Sequence, residues 1–153
     1  MARSFGRSLA AFLALPGMVA LVVPWLLLRA TGDGRFSPLG VPPLLLGLAL
    51  LLWCVRDFHV AGRGTLAPWA PPERLVAVGL YRVTRNPMYV AVLVMLAGWA
   101  LGARTRALWL YAGAVAVAFH LRVVLGEEPW LARRHGEAWA RYRARVPRWL
   151  VRW

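Results

Sequence analysis

Between Leu9 and Leu28 the chain carries no ionisable residue at all. That block begins at about Ser8, and three more follow, from about Leu39 to Val55, from Pro87 to Ala103 and from Ala107 to Leu125. A bilayer core about 30 Å thick is crossed by about 20 mostly apolar helical residues. Four such blocks make lipid the main solvent of this chain. At 153 residues it has the length of one domain, and its 60% hydrophobic content exceeds the roughly 45–50% of soluble domains. The fold expected is all-α: an integral membrane protein with about four transmembrane helices and a C-terminal amphipathic interfacial helix. Arg3 and Arg7 before the first block suggest a cleaved leader, but the block is too long for one and lacks a small-residue cleavage pattern before Arg29.

All 19 basic residues are arginine and the net charge is +13. In a soluble protein that balance would suggest a nucleic-acid partner; here topology explains it and no nucleic acid is expected. Four crossings put the N-terminus, the middle loop and the tail on one side. Arg3 and Arg7, then Arg56, Arg63, Arg74, Arg82 and Arg85, then Arg133, Arg134, Arg141, Arg143, Arg145, Arg148 and Arg152 fall there. The opposite loops hold Arg29 with Arg35, and Arg104 with Arg106. The positive-inside rule makes both termini cytoplasmic.

The first half reads as scaffold. Pro16 with Gly17, and then Pro24, should kink the first helix where neighbours can re-satisfy its backbone. Pro42 and Pro43 fall near the start of the second, where missing amide donors are tolerated. Gly47 suggests close helix packing. Asp57 to Glu73, rich in glycine and proline, reads as an irregular loop. Cys54 is the only cysteine, which excludes an intrachain disulfide and a cysteine-rich metal site. The three histidines, His59, His120 and His135, lack ligand spacing, so no metal is expected.

Polar residues then gather in two compact clusters. The first is Gly79-Leu80-Tyr81-Arg82-Val83-Thr84-Arg85-Asn86-Pro87-Met88-Tyr89. Asn86 can cap free amides and Pro87 suits the first helical position, so a helix should start here. Its N-terminus, flanked by Arg82 and Arg85, suits a carboxylate or phosphate. On charge alone, the simpler reading is that both arginines anchor the chain to lipid phosphates.

The second cluster closes the fourth apolar block with His120, Arg122, Glu127, Glu128 and Pro129. On a continuous helix His120 and Glu127 lie near one face. Adjacent acids at a helix C-terminus oppose the macrodipole, which suggests a cationic or hydroxyl-rich partner; simple pairing with an arginine of the first cluster is the bland alternative. Beyond Pro129, Leu131, His135, Ala138 or Trp139, Tyr142 and Val146 recur at three- and four-residue intervals among arginines. This pattern reads as an interfacial helix that meets anionic lipid, locally weakened at Gly136 and ended by Pro147, with Arg148, Trp149 and Trp153 at headgroup level.

From Gly79 to Leu150 these motifs resemble the isoprenylcysteine carboxyl methyltransferase and phospholipid methyltransferase superfamily. Gly79 to Tyr89 is similar to its Gly-x-Tyr-Arg-x-x-Arg-His-Pro-x-Tyr signature. Glu127-Glu128, Gly136, Tyr142 and Val146-Pro147-Arg148 are similar to the continuation. Asn86 departs from the usual histidine; it keeps hydrogen-bonding capacity but not a titrating imidazole.

The resemblance implies an S-adenosylmethionine-dependent methyltransferase. Residues 79–153 would be the cofactor-binding half and residues 1–78 a two-helix scaffold with its loop. A lipophilic or small substrate would arrive through the bilayer. The cofactor-binding residues implied are Tyr81, Arg82, Arg85, Asn86, Pro87, Tyr89, His120, Glu127 and Glu128, with Arg85 and Glu128 also catalytic. Arg85 or Arg82 would hold the cofactor carboxylate, Glu127 and Glu128 its ammonium or ribose, and Tyr81 or Tyr89 would face the sulfonium. For an amine acceptor Glu128 or His120 would be the base. A prenylated cysteine carboxylate, a phospholipid amine and a thiol all remain open as acceptor, and so does oligomeric state. The rivals are a cofactor-binding relative similar to sterol reductases and a small four-helix transporter. A transporter should carry a charge within a crossing, which the first three blocks lack.

Overall fold

A computed structural model describes residues 16–31, 35–62 and 75–150. Expectations placed on residues 1–15, on the loop residues 63–74 and on Arg152 and Trp153 lie outside the described residues. Regular structure is helical, with no strand among the described residues. Helix α1 (Val23–Thr31) follows a π turn, Met18–Val22. Helix α2 (Val41–Gly62) follows a 3₁₀ turn, Pro38–Gly40, and a second 3₁₀ turn, Gly79–Arg82, precedes α3 (Pro87–Ala103). Helix α4 (Arg106–Arg122) runs through a π turn, Val123–Glu127, into α5 (Glu128–Arg145). Two stretches are long and apolar enough to cross a membrane, Pro38–Asp57 and the apolar part of the continuous Arg106–Arg145; Met18–Thr31 and Pro87–Ala103 are apolar but shorter.

Both π turns stand just before a proline. A proline within a helix lacks its amide and pushes its ring against the carbonyl four residues back, and a π turn relieves the clash by widening the coil. Pro24 has no amide to offer the carbonyls four and five residues back, those of Ala20 and Val19. Neighbouring helices replace it: Tyr111 Oη donates to the Val19 carbonyl at 2.9 Å and Trp99 Nε1 to that of Ala20 at 2.8 Å. The kink thus becomes the joint that ties α3 and α4 to the first helix.

Small residues bring α2 and α3 together. A Cβ on Gly40 would lie 2.7 Å from the Cα of Gly102, and one on Gly98 would lie 2.8 Å from the Leu44 amide nitrogen. A Cβ on Gly47 would meet the Ala91 carbonyl at 2.7 Å. Contacts this short exclude any side chain, so the backbones approach as small-residue seams allow in lipid. Around the seam Leu51, Ala91, Val92, Met95 and Leu96 form the main buried cluster with Ala20.

Three expectations change. Helix α2 continues to Gly62, so residues 57–62 are helical rather than loop. Glu127 and Glu128 do not end a helix: the π turn carries α4 into α5, and Glu128 opens α5 with Pro129 behind it. The macrodipole argument for a cationic partner therefore lapses. Gly136 does more than weaken α5. With φ 48° and ψ −120° it holds a conformation essentially limited to glycine and breaks the helix there.

Candidate functional site

The end of α2, the start of α3, the α4–α5 junction and the chain after α5 gather at one end of the bundle. Glu128 is the centre of that end, only 8% exposed. Arg148 donates to it from Nε to Oε1 and from Nη2 to Oε2, both at 2.8 Å. Arg85, with 8% of its side chain exposed, brings Nη1 to 2.9 Å of Oε1. One carboxylate thus serves two guanidinium groups. Burial pulls the Arg85 pKa down and the nearby Arg148 and Arg143 charges pull the same way, against Glu128. The hydrogen bonds to Glu128 push that of Arg148 up.

The backbone is stitched around this centre. The Arg85 amide donates to the Pro147 carbonyl at 2.9 Å. Thr84 Oγ1 and Asn86 Nδ2 both donate to the Arg148 carbonyl, at 3.0 and 2.9 Å. Pro147 ends α5 as the sequence predicts, since α5 stops at Arg145, and the chain then folds back over the Thr84–Asn86 turn. Asn86 occupies the N-cap position of α3 with Pro87 behind it, but its side chain makes no capping bond. It reaches across to the C-terminal segment instead, which corrects the capping role expected of it.

A second polar group lies alongside. Glu127 Oε1 accepts from the Tyr89 hydroxyl and from Arg122 Nε, the latter at 2.8 Å. Its Oε2 takes part in neither bond. The Tyr89 ring packs on Phe119 with centroids 4.4 Å apart. His120 is exposed, and its Nδ1 accepts from Trp149 Nε1 at 3.3 Å. The π turn puts more residues in each turn and so shifts the register between His120 and Glu127, and the two take separate partners.

The other expected residues divide. Tyr81 is buried against Cys54 and Val76, and its carbonyl accepts from the Tyr142 hydroxyl at 2.7 Å. Burial, then the nearby Cys54, Tyr142, Asp57 and Glu127, push its phenol pKa well up. Pro87 is buried at the first position of α3. Arg82 is exposed, and the arginines paired with Glu128 are Arg85 and Arg148.

Residues the sequence reading did not single out complete the arrangement. Arg148 was read as a headgroup-level arginine and the last letter of a motif, not as a partner of Glu128, and Thr84 as a filler within another motif. Trp139 carried no signal beyond helical periodicity. Its ring lies under the Arg85 guanidinium, 5.5 Å from Cζ to centroid. Arg85 Nε and Trp139 Nε1 are both buried without a hydrogen-bond acceptor. Two adjacent buried donors lacking an acceptor suit a carboxylate or phosphate oxygen, because leaving such groups unsatisfied is costly.

No curated protein and no solved structure matches the chain significantly. The phospholipid methyltransferase family model matches residues 37–138, from the turn before α2 into the second half of α5. That span takes in α2, α3, α4, the first cluster and both acids of the second, more than half of the chain. The chain therefore belongs to the phospholipid methyltransferase family of membrane proteins.

Proposed function

We propose that this protein is an S-adenosylmethionine-dependent methyltransferase embedded in the membrane, acting on a lipophilic or small acceptor. The observation that carries the reading is the Arg85–Glu128 pair at 2.9 Å. It joins the arginine-bearing start of α3 to the twin acids in one polar centre at the end of an apolar bundle. We further propose four crossings with both termini cytoplasmic and α5 as an interfacial segment, which would put this centre at the inner headgroup layer.

The donor set fits such a cofactor. Its carboxylate would meet the unpartnered N–H groups of Arg85 and Trp139, and its charged and aromatic parts the Tyr89–Phe119 ring pair. When bound it would supply a methyl group already activated by the sulfonium. The chain then has to align the acceptor and keep water out, and holding two reactants in line lowers a barrier by several kcal/mol. A carboxylate or thiolate acceptor needs no base.

An amine must lose a proton, and the geometry changes which residue would take it. Glu128 is held by two guanidinium groups, and the acceptor nitrogen of His120 is engaged by Trp149. Glu127, with both of its bonds on Oε1, would take that proton on Oε2. The family description favours a phospholipid amine as the first acceptor to try.

The test is to supply the purified protein in lipid nanodiscs with methyl-labelled S-adenosylmethionine and phosphatidylethanolamine, a prenylated cysteine or a small thiol. Label should move to one of them. Failure to bind the methyl donor, or binding of a nicotinamide cofactor in its place, would overturn the reading.

A further inference from the structure

Asp57 stands on α2, the helix that the sequence assigns to scaffold. It is only 9% exposed, and among the described residues its Oδ2 has no hydrogen-bond partner. The other described acids all have a counter-charge: Glu127 has Arg122, Glu128 has Arg85 and Arg148, and Glu137 has Arg141. No described arginine forms such a pair with Asp57. A buried carboxylate without a cation is strongly disfavoured, so a protein that keeps one needs something to compensate it.

The backbone opposite is shaped to leave room for this carboxylate. Gly79 has φ +54°, and a Cβ there would lie 2.7 Å from the Asp57 Cγ. Any other residue at position 79 would have to displace the acid. The 3₁₀ turn that Gly79 opens runs through Tyr81 to the Thr84–Asn86 segment, which is bonded to the C-terminal segment at Pro147 and Arg148. Tyr81, two residues beyond Gly79, packs on Cys54, one helical turn before Asp57 on α2. Asp57 thus packs on the start of the turn that leads to Arg85 and the Glu128 centre.

We infer that Asp57 is a ligand-binding residue that receives a protonated amine. The inference rests on the methyltransferase reading above, which offers two sources of that chemistry: the amino-acid ammonium of the methyl donor and the headgroup amine of a lipid acceptor. Arg85 and Trp139 present donors suited to the carboxylate of an amino acid, and Asp57 supplies the opposite charge that its ammonium needs. A zwitterion would then be met by a matched pair of charges across the Gly79–Asn86 turn.

Asp57→Asn is nearly isosteric and removes only the charge. Donor affinity, the KM for phosphatidylethanolamine and the KM for a thiol acceptor would be measured on the full chain in nanodiscs, with thermal unfolding with and without donor. If the amine is the donor's, its affinity falls about 10- to 100-fold and the donor-induced rise in Tm shrinks, as expected for loss of one charge-assisted bond. If the amine is the lipid's, the KM for phosphatidylethanolamine alone rises by a similar factor. Without ligand, the variant should melt at or above the wild type. The inference is overturned if all three parameters keep their wild-type values, or if ligand-free Asp57→Asn melts well below wild type, which would make Asp57 a structural residue. A wild type that binds no donor at all would instead sink the methyltransferase reading, and this inference with it.

Discussion

Arg148 presents Nε and Nη2 to the two carboxylate oxygens of Glu128, 2.8 Å apart in each case, from a position twenty residues further along the chain. This fork closes the C-terminal segment over the start of α3. It also makes Glu128 at least as much a structural residue as a site residue. Replacing Glu128 would leave two guanidinium groups facing each other, so a loss of activity on its replacement would be hard to interpret.

Arg148 is the cleaner probe. Arg148→Ala removes the fork while Arg85 still partners Glu128, and it should lower stability by about 2 kcal/mol. Arg148→Lys should recover only part of that, because an ammonium cannot present two parallel N–H groups to a carboxylate. Thermal unfolding in detergent measures both. Lysine performing as well as arginine would mean that the two-point geometry is unimportant.

The seam between α2 and α3 yields a paired test. Gly98→Ala puts a methyl group 2.8 Å from the Leu44 amide nitrogen and 2.9 Å from the Gly40 carbonyl. Neither is a flexible side-chain end, so the helices must separate, at a cost of about 1–3 kcal/mol. Gly113→Ala has nothing within 4 Å of the new Cβ and should be neutral or stabilise by up to about 1 kcal/mol. Equal unfolding temperatures for the two variants would contradict the seam.

Local punctuation made much of this legible from the sequence. Asn86-Pro87 marks the start of α3, and the structure begins that helix at Pro87 and ends it at Ala103, as the apolar block predicts. Pro24 announced a kink, but its form was not legible, because a π turn depends on what neighbouring helices offer to the freed carbonyls; Pro129 was read as closing the fourth apolar block, whereas the π turn carries the helix on through it. The meeting of Arg85 with Glu128 follows from the α3–α4 hairpin, whose two arms return to the same end. Arg148 and Trp139 come from segments brought in by tertiary folding, and nothing in their local sequence indicates their partners; the approach of Asp57 to Gly79 is likewise a product of the fold. Asn86 shows the limit most clearly: its position fits a cap, yet the C-terminal carbonyl claimed its side chain.

Trp99 tests how the proline kink is repaired. Its indole N–H donates to the Ala20 carbonyl that Pro24 leaves without an amide. Trp99→Phe keeps most of the apolar contact and removes the donor, and it should cost about 1 kcal/mol, the scale of such bonds between membrane helices. Tyr111→Phe acts on the adjacent Val19 carbonyl. The double variant should lose more than the sum of the singles, since each remaining donor can shift to serve both carbonyls. Strict additivity in unfolding free energy would show that the two bonds are independent.

Trp139 separates binding from stability. Its ring supports the Arg85 guanidinium, and its buried indole N–H has no acceptor among the described residues. Trp139→Phe keeps an aromatic face under Arg85 and deletes only that N–H. Since the N–H makes no bond within the protein, the variant should fold with unchanged or slightly raised stability. If the N–H is meant for a ligand oxygen, methyl-donor affinity should fall about tenfold, the value of one hydrogen bond to a charged group. Trp139→Leu removes the cation–π support as well and should reduce both stability and affinity. A titration of donor against unfolding temperature reads the two quantities together. Wild-type affinity in Trp139→Phe would mean that the indole faces no ligand, and the carboxylate would then have to be held by Arg85 alone.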